Sequence, residues 1–145
     1  MALDSASFSA WQPRILAVLR IVTAYLFLLH GTSKLLGFPV VEALKGGVPL
    51  MSMGGIAGLI EIVGGVLLLI GLFTRPTAFI LAGEMAFAYF IGHASKGNAL
   101  LPMLNGGELA VTWCFVFLYF AVAGAGAWSV DAARGRSAAD VRVVS

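Results

Sequence analysis

Cysteine is nearly absent from this 145-residue chain, where Cys114 stands alone inside an apolar run. An intrachain disulfide, a CxxC redox or zinc pair and a cysteine-held iron–sulfur centre are thereby excluded. The chain also lacks a CxxCH haem motif and a glycine-rich nucleotide loop, so nothing in it carries electrons. Charge is scarce as well: 11% of the residues are charged and 60% hydrophobic, with a mean hydropathy of +0.98. That leaves too little polar surface to cover a soluble globule. The net charge of +2 and pI near 9.0 do not imply nucleic acid, because the basic residues flank apolar runs instead of covering a polar face. What the chain has in abundance is long apolar runs, and the partner they imply is the lipid bilayer.

Hydropathy and breakers predict an all-α integral membrane four-helix bundle. Its spans run over about residues 14–36, 54–73, 77–92 and 108–127, antiparallel in up-down-up-down order with both termini on one side. A single domain over 14–130 is expected, preceded by a polar segment 1–13 and followed by a solvated tail 131–145. Thr74 to Thr77 reads as a tight turn, and Pro76 suits a first helical turn because its missing amide needs no partner there. The other connections, 37–53 and 93–107, are longer and rich in glycine and proline. The first 13 residues lack a basic n-region, so the first span is expected to be a retained anchor.

Arginine is concentrated on the side that holds the termini and the short turn, as Arg14, Arg75, Arg134, Arg136 and Arg142, against Lys34, Lys45 and Lys96 on the other. The positive-inside rule then places both termini in the cytoplasm and the two long loops outside. Trp11 and Trp128 flank the outer spans on the terminal side, where amphipathic rings anchor at the interface.

Glu61, Glu84 and Glu108 each sit inside or at the mouth of a separate apolar run. An ionised carboxylate at mid-membrane costs about 2.5 to 3.5 kcal/mol, so each needs a partner, a proton or a purpose. On the first span Arg20, Thr23, Ala24, Phe27, His30, Gly31 and Lys34 share one polar stripe. On the second, Gly54, Gly58, Glu61 and Gly65 share another, a glycine groove that a neighbouring backbone can approach closely. Arg20 and Glu84 lie at like depth, about 9 and 10 Å beyond Arg14 and Thr77 at about 1.5 Å per residue, and are expected to form a structural ion pair. His30, Lys34, Glu61, Asn105 and Glu108 fall in the outward half and are the candidate pocket residues; His93, on the face opposite Glu84, is a weaker member. No metal site is expected and no catalytic residue is assigned.

The segments RIVTAYLFLLHGTSKLLGFP, GLIEIVGGVLLLIGLFTRPTAFILAGEMAFAYF, NGGELA and GAGAWSVD, in that order, resemble the DoxX family of small bacterial membrane proteins from Arg14 to Asp131. The resemblance implies a four-helix protein of the bacterial inner membrane. It transfers to Gly31, Lys34, Glu61, Gly64, Gly65, Thr74, Arg75, Asn105, Gly106, Gly107, Glu108, Ser129 and Asp131. Where the family commonly has proline, this chain has Ala125, from which a looser helix ending is expected. The resemblance also implies an association with quinone-linked sulfur oxidation or with membrane complexes that couple thiol balance to oxidant defence. The expected function is thus a quinone-linked or redox-complex membrane subunit that binds a diffusible quinone or serves a redox partner protein. A non-catalytic scaffold and a small-molecule carrier are the alternatives.

Overall fold

The computed structural model describes residues 5–135. Among them the regular elements are all helical: α1 Ser5–Leu35, α2 Met53–Ile70, α3 Thr74–Phe87, α4 Pro102–Asn105 and α5 Glu108–Ala123. A π-helical turn, Ala88–His93, and a 3₁₀ turn, Ala94–Lys96, prolong α3, and a second 3₁₀ turn spans Glu42–Leu44. Phe8–Leu35, Met53–Ile70 and Thr74–Lys96 are long and apolar enough to cross a membrane. The apolar α5, at 16 residues, is about 24 Å long against a hydrocarbon core of about 30 Å.

Several boundaries differ from those the sequence suggests. The first helix starts at Ser5, well before Arg14, and Pro13 lies inside it. A proline there removes one i to i−4 bond without ending the helix, and its carbonyl accepts the Ala127 amide at 2.8 Å. The third helix starts at Thr74, not Thr77, because its first amides are capped from a distant part of the chain. The tail beyond Gly135, with Arg136 and Arg142, and residues 1–4 lie outside the described residues.

The chain divides into two compact units, one running up to Thr74 and resuming at Ala125, the other Arg75–Gly124. In the first unit α1 and α2 pack antiparallel through their glycines. A Cβ at Gly31 would lie 2.8 Å from the Gly58 carbonyl oxygen, and one at Gly65 would lie 3.1 Å from Leu28 Cβ. Such contact is available only where a side chain is missing, and it lets dispersion forces act between backbones. The buried face of α2 comprises Gly55, Gly58, Glu61, Gly64, Gly65 and Leu68. Gly55, and not Gly54, completes the stripe because the loop before α2 folds onto it, with the Pro49 carbonyl 2.2 Å from where its Cβ would stand. Ser52 caps α2 by accepting the Gly55 amide at 3.1 Å.

Arg20, fully buried on α1, ties the other end of this hairpin together. Its Nε donates to Ala125 O at 2.8 Å, Nη1 to Leu68 O and, at 2.7 Å, to Leu69 O, and Nη2 to Trp128 O at 2.9 Å. The last carbonyls of a helix have no partner within it, so one guanidinium satisfies two of them and clamps the returning segment. The Ala125 ending is therefore held, not loose. Gly71, left-handed at φ 67, leaves room for this knot: a Cβ there would lie 2.4 Å from Ser129 Cβ and 3.0 Å from Arg20 Cζ. Asp131 closes the knot by accepting the amides of Phe73 at 3.0 Å and Thr74 at 2.8 Å, which makes it the cap of α3. Partial burial pushes the Asp131 carboxyl up, but the hydrogen bonds from Thr74 and the Phe73 amide, with Arg134 nearby, outweigh it and hold the group below the ordinary range.

The second unit repeats the device. Arg75, in the first turn of α3, donates to the Ala121 carbonyl at 3.3 Å and to that of Val122, capping the end of α5. At the other end Gly107 presses on the Tyr89 ring, a Cβ there falling 2.6 Å from Cδ2. Thus α3 and α5 run antiparallel.

Candidate functional site

The glycine contacts that join α1 to α2 also decide which side chains meet. Lys34 stands level with Gly58, its Cβ 3.2 Å from where a Gly58 Cβ would stand, and Gly31 packs between Gly58 and Ile62 and so lies level with Glu61. Because helical side chains lean toward their own N-terminus, Lys34 and Glu61 point toward each other along this antiparallel groove. Lys34 Nζ reaches Glu61 Oε1 at 2.5 Å, with 22% of the lysine side chain exposed and 3% of the glutamate's. Glu61 Oε2 is buried with no hydrogen-bond partner among the described residues. As a carboxylate oxygen it lacks a donor, and as a protonated oxygen it would lack an acceptor. A buried polar atom in that position costs about 1 to 3 kcal/mol, more when charged. The Lys34 backbone is held in turn by the following loop, through its carbonyl and the Val48 amide at 3.4 Å.

The other candidate residues take different places. His30 stands one turn before Lys34, at the exposed edge of α1, and its carbonyl accepts the Ser33 hydroxyl at 2.9 Å. Glu84 lies half-buried on α3, in the second unit. In that unit Asn105 is committed to the loop. Its Nδ2 donates to Tyr89 Oη at 3.3 Å and Asn98 O at 3.2 Å, and its Oδ1 accepts the Gly107 amide at 2.9 Å. His93 Nδ1 sits 3.2 Å from the Asn105 carbonyl oxygen. Glu108, exposed in the first turn of α5, lines an open groove of about 440 Å³ with Met103, Gly106, Leu109 and Thr112. Tyr89 is the organising residue that spacing does not reveal: it is buried, and its hydroxyl also donates to Ala99 O at 2.6 Å. The only sequence signal was its place shortly before a glycine-rich turn. No group of acidic, histidine or cysteine side chains able to hold a metal ion occurs among the described residues.

The stretch that carries Arg20, Lys34, Glu61, Thr74, Arg75 and Glu84 is also the stretch that matches known proteins. The sequence profile of the DoxX family matches residues 15–94. The chain belongs to the DoxX family. An uncharacterized protein of Haemophilus influenzae is 53% identical over 122 residues, covering 83% of this chain and 91% of that protein. Two proteins of Escherichia coli are similar as well. Inner membrane protein YphA is 29% identical over 130 residues, 86% of this chain and 93% of its own. Inner membrane protein YqjF is 30% identical over 118 residues, 79% and 87% respectively. No solved structure matches. With its apolar helices, this DoxX chain is a membrane protein.

Proposed function

We propose that this DoxX-family chain is a quinone-linked membrane subunit of the bacterial inner membrane, acting with a redox or thiol-balancing partner protein. In this reading α5 completes a four-helix, up-down-up-down bundle with both termini cytoplasmic, and Lys34 and Glu61 lie in its outward half. The observation that carries the proposal is the buried Glu61 carboxyl, held at Oε1 by Lys34 and left without a partner at Oε2. A quinone head group supplies the missing chemistry: its carbonyl accepts from an ammonium, and its reduced form offers a hydroxyl to a carboxylate. When bound, it would bring two-electron redox chemistry that the chain does not have. Lys34 and Glu61 would orient the head group and hold or pass a proton at Oε2, and electron exchange belongs to the partner.

Wild type and Glu61→Gln, purified from membranes in mild detergent and extracted with organic solvent, test this reading. The expected result is quinone retained by the wild type and lost from the variant at equal yield. Quinone in the wild type no higher than in an unrelated multi-span control would overturn it. A non-catalytic scaffold is the second reading, and a specific observation favours it: Arg20, Arg75 and Asp131 spend their polar groups on the backbone, and Asn105 divides its own between the backbone and the Tyr89 hydroxyl.

A further inference from the structure

The end of the first unit opposite Lys34 and Glu61 carries two exposed guanidinium groups, Arg14 and Arg134. Arg14 lies over the Trp11 ring, its Cζ 5.3 Å from the centroid, and Arg134 over the Phe73 ring at 5.5 Å. Both arginines are exposed, and neither is in an ion pair among the described residues. Asp131, the acid nearest to Arg134 in sequence, has its two oxygens occupied by the amides of Phe73 and Thr74. The rings are exposed too, Trp11 by 57%, Phe73 by 56% and neighbouring Trp128 by 62%. All of these residues gather at one end, because the Ala127 amide bonds to Pro13 O at 2.8 Å and the Asp131 amide to Gly71 O at 2.9 Å.

We infer that the Arg14/Trp11 and Arg134/Phe73 pairs are binding sites for the phosphate of anionic phospholipids. A guanidinium lying flat on a ring is fixed in orientation while its N–H edge stays open, and that edge matches two phosphate oxygens. The rings stand where the candidate spans beginning at Phe8 and Thr74 meet the polar phase, the depth at which amphipathic side chains contact the glycerol region. A soluble acidic partner would account for the arginines but not for exposed aromatic rings at the ends of apolar spans. A lipid accounts for both. A basic residue at an anionic membrane surface is worth about a fivefold preference, so the two together give roughly 25-fold for an anionic over a zwitterionic headgroup.

The full chain in vesicles tests this, with quenching of its tryptophan fluorescence by brominated phosphatidylglycerol compared with brominated phosphatidylcholine. The wild type should show a phosphatidylglycerol preference on the order of tenfold or more that shrinks in high salt. The double variant Arg14→Gln, Arg134→Gln should lose it, and Arg14→Lys, Arg134→Lys should keep most of it, which separates charge from misfolding. Equal quenching by the two lipids in the wild type would overturn the inference, as would a preference that survives the double glutamine change. Displacement of the lipid by millimolar inorganic phosphate would overturn the lipid as occupant in favour of free phosphate.

Discussion

Lys34 and Glu61 form a pair whose two members are unequally placed: the carboxyl is almost wholly buried and the ammonium stem keeps a path to the surface. Removing one partner of a buried pair strands the other, at a cost of about 3 to 5 kcal/mol, whereas replacing both with apolar residues can be close to neutral. Lys34→Met should therefore lower the thermal midpoint in detergent more than Lys34→Met, Glu61→Leu together. Additive losses in that cycle would show that the pair is not coupled. Gly31 and Lys34 share a face of α1 and Gly58 and Glu61 share one of α2, so helical spacing shows which faces can meet, while the register that lets Lys34 reach Glu61 comes from the glycine packing. Arg20 is different. Its depth was legible, but its acceptors are carbonyls at a helix end and in an irregular segment some hundred residues away, and backbone acceptors carry no residue-type signal. Tyr89 was hidden for the same reason, since its hydroxyl donates to a loop carbonyl.

At the scale of elements, helix ends and helix contacts were unequally legible. The positions of the apolar segments follow from hydropathy, yet the start of α3 depends on Asp131, a cap supplied from beyond α5. Asp131→Asn keeps one acceptor oxygen but turns its NH2 toward the other amide, and the lost hydrogen bond should cost about 0.5 to 1.5 kcal/mol at neutral pH. Because the folded carboxyl is held below its unfolded value of about 3.9, its contribution is fully present above that value and is lost as pH falls through the folded one. Thermal melts should thus show wild type more stable than Asp131→Asn at pH 7, with the gap closing on acidification below about pH 4. A gap that widens in acid would contradict the cap. The α1–α2 contact makes a separate prediction. Gly31→Ala places a methyl 2.8 Å from the Gly58 carbonyl oxygen and from Ile62 Cγ1, and overpacking of this kind costs about 1 to 3 kcal/mol. Its signature should be lower stability in the melt without loss of membrane insertion.

For the whole molecule, the proposed orientation rests on arginines beside the termini and the short turn, and on an even number of crossings. Reporter fusions after Ser145 and within the 37–53 connection should report cytoplasm for the first and the outside for the second. The opposite pattern would move Lys34 and Glu61 to the cytoplasmic half. The α5 helix makes this informative, because at 16 residues it crosses only if the segment after it or a thinner bilayer makes up the length.

In the proposed function Glu61 serves a bound molecule and not only its own helix pair. Glutamine keeps the shape of the side chain and a hydrogen-bonding oxygen but neither titrates nor carries charge. The direct measurement is complementation of a deletion strain under oxidant or thiol stress by Glu61→Gln, scored beside the abundance of the protein in the membrane. Normal abundance with protection lost is the expected result; full protection at normal abundance would show that Glu61 serves no bound molecule and leave the scaffold as the function.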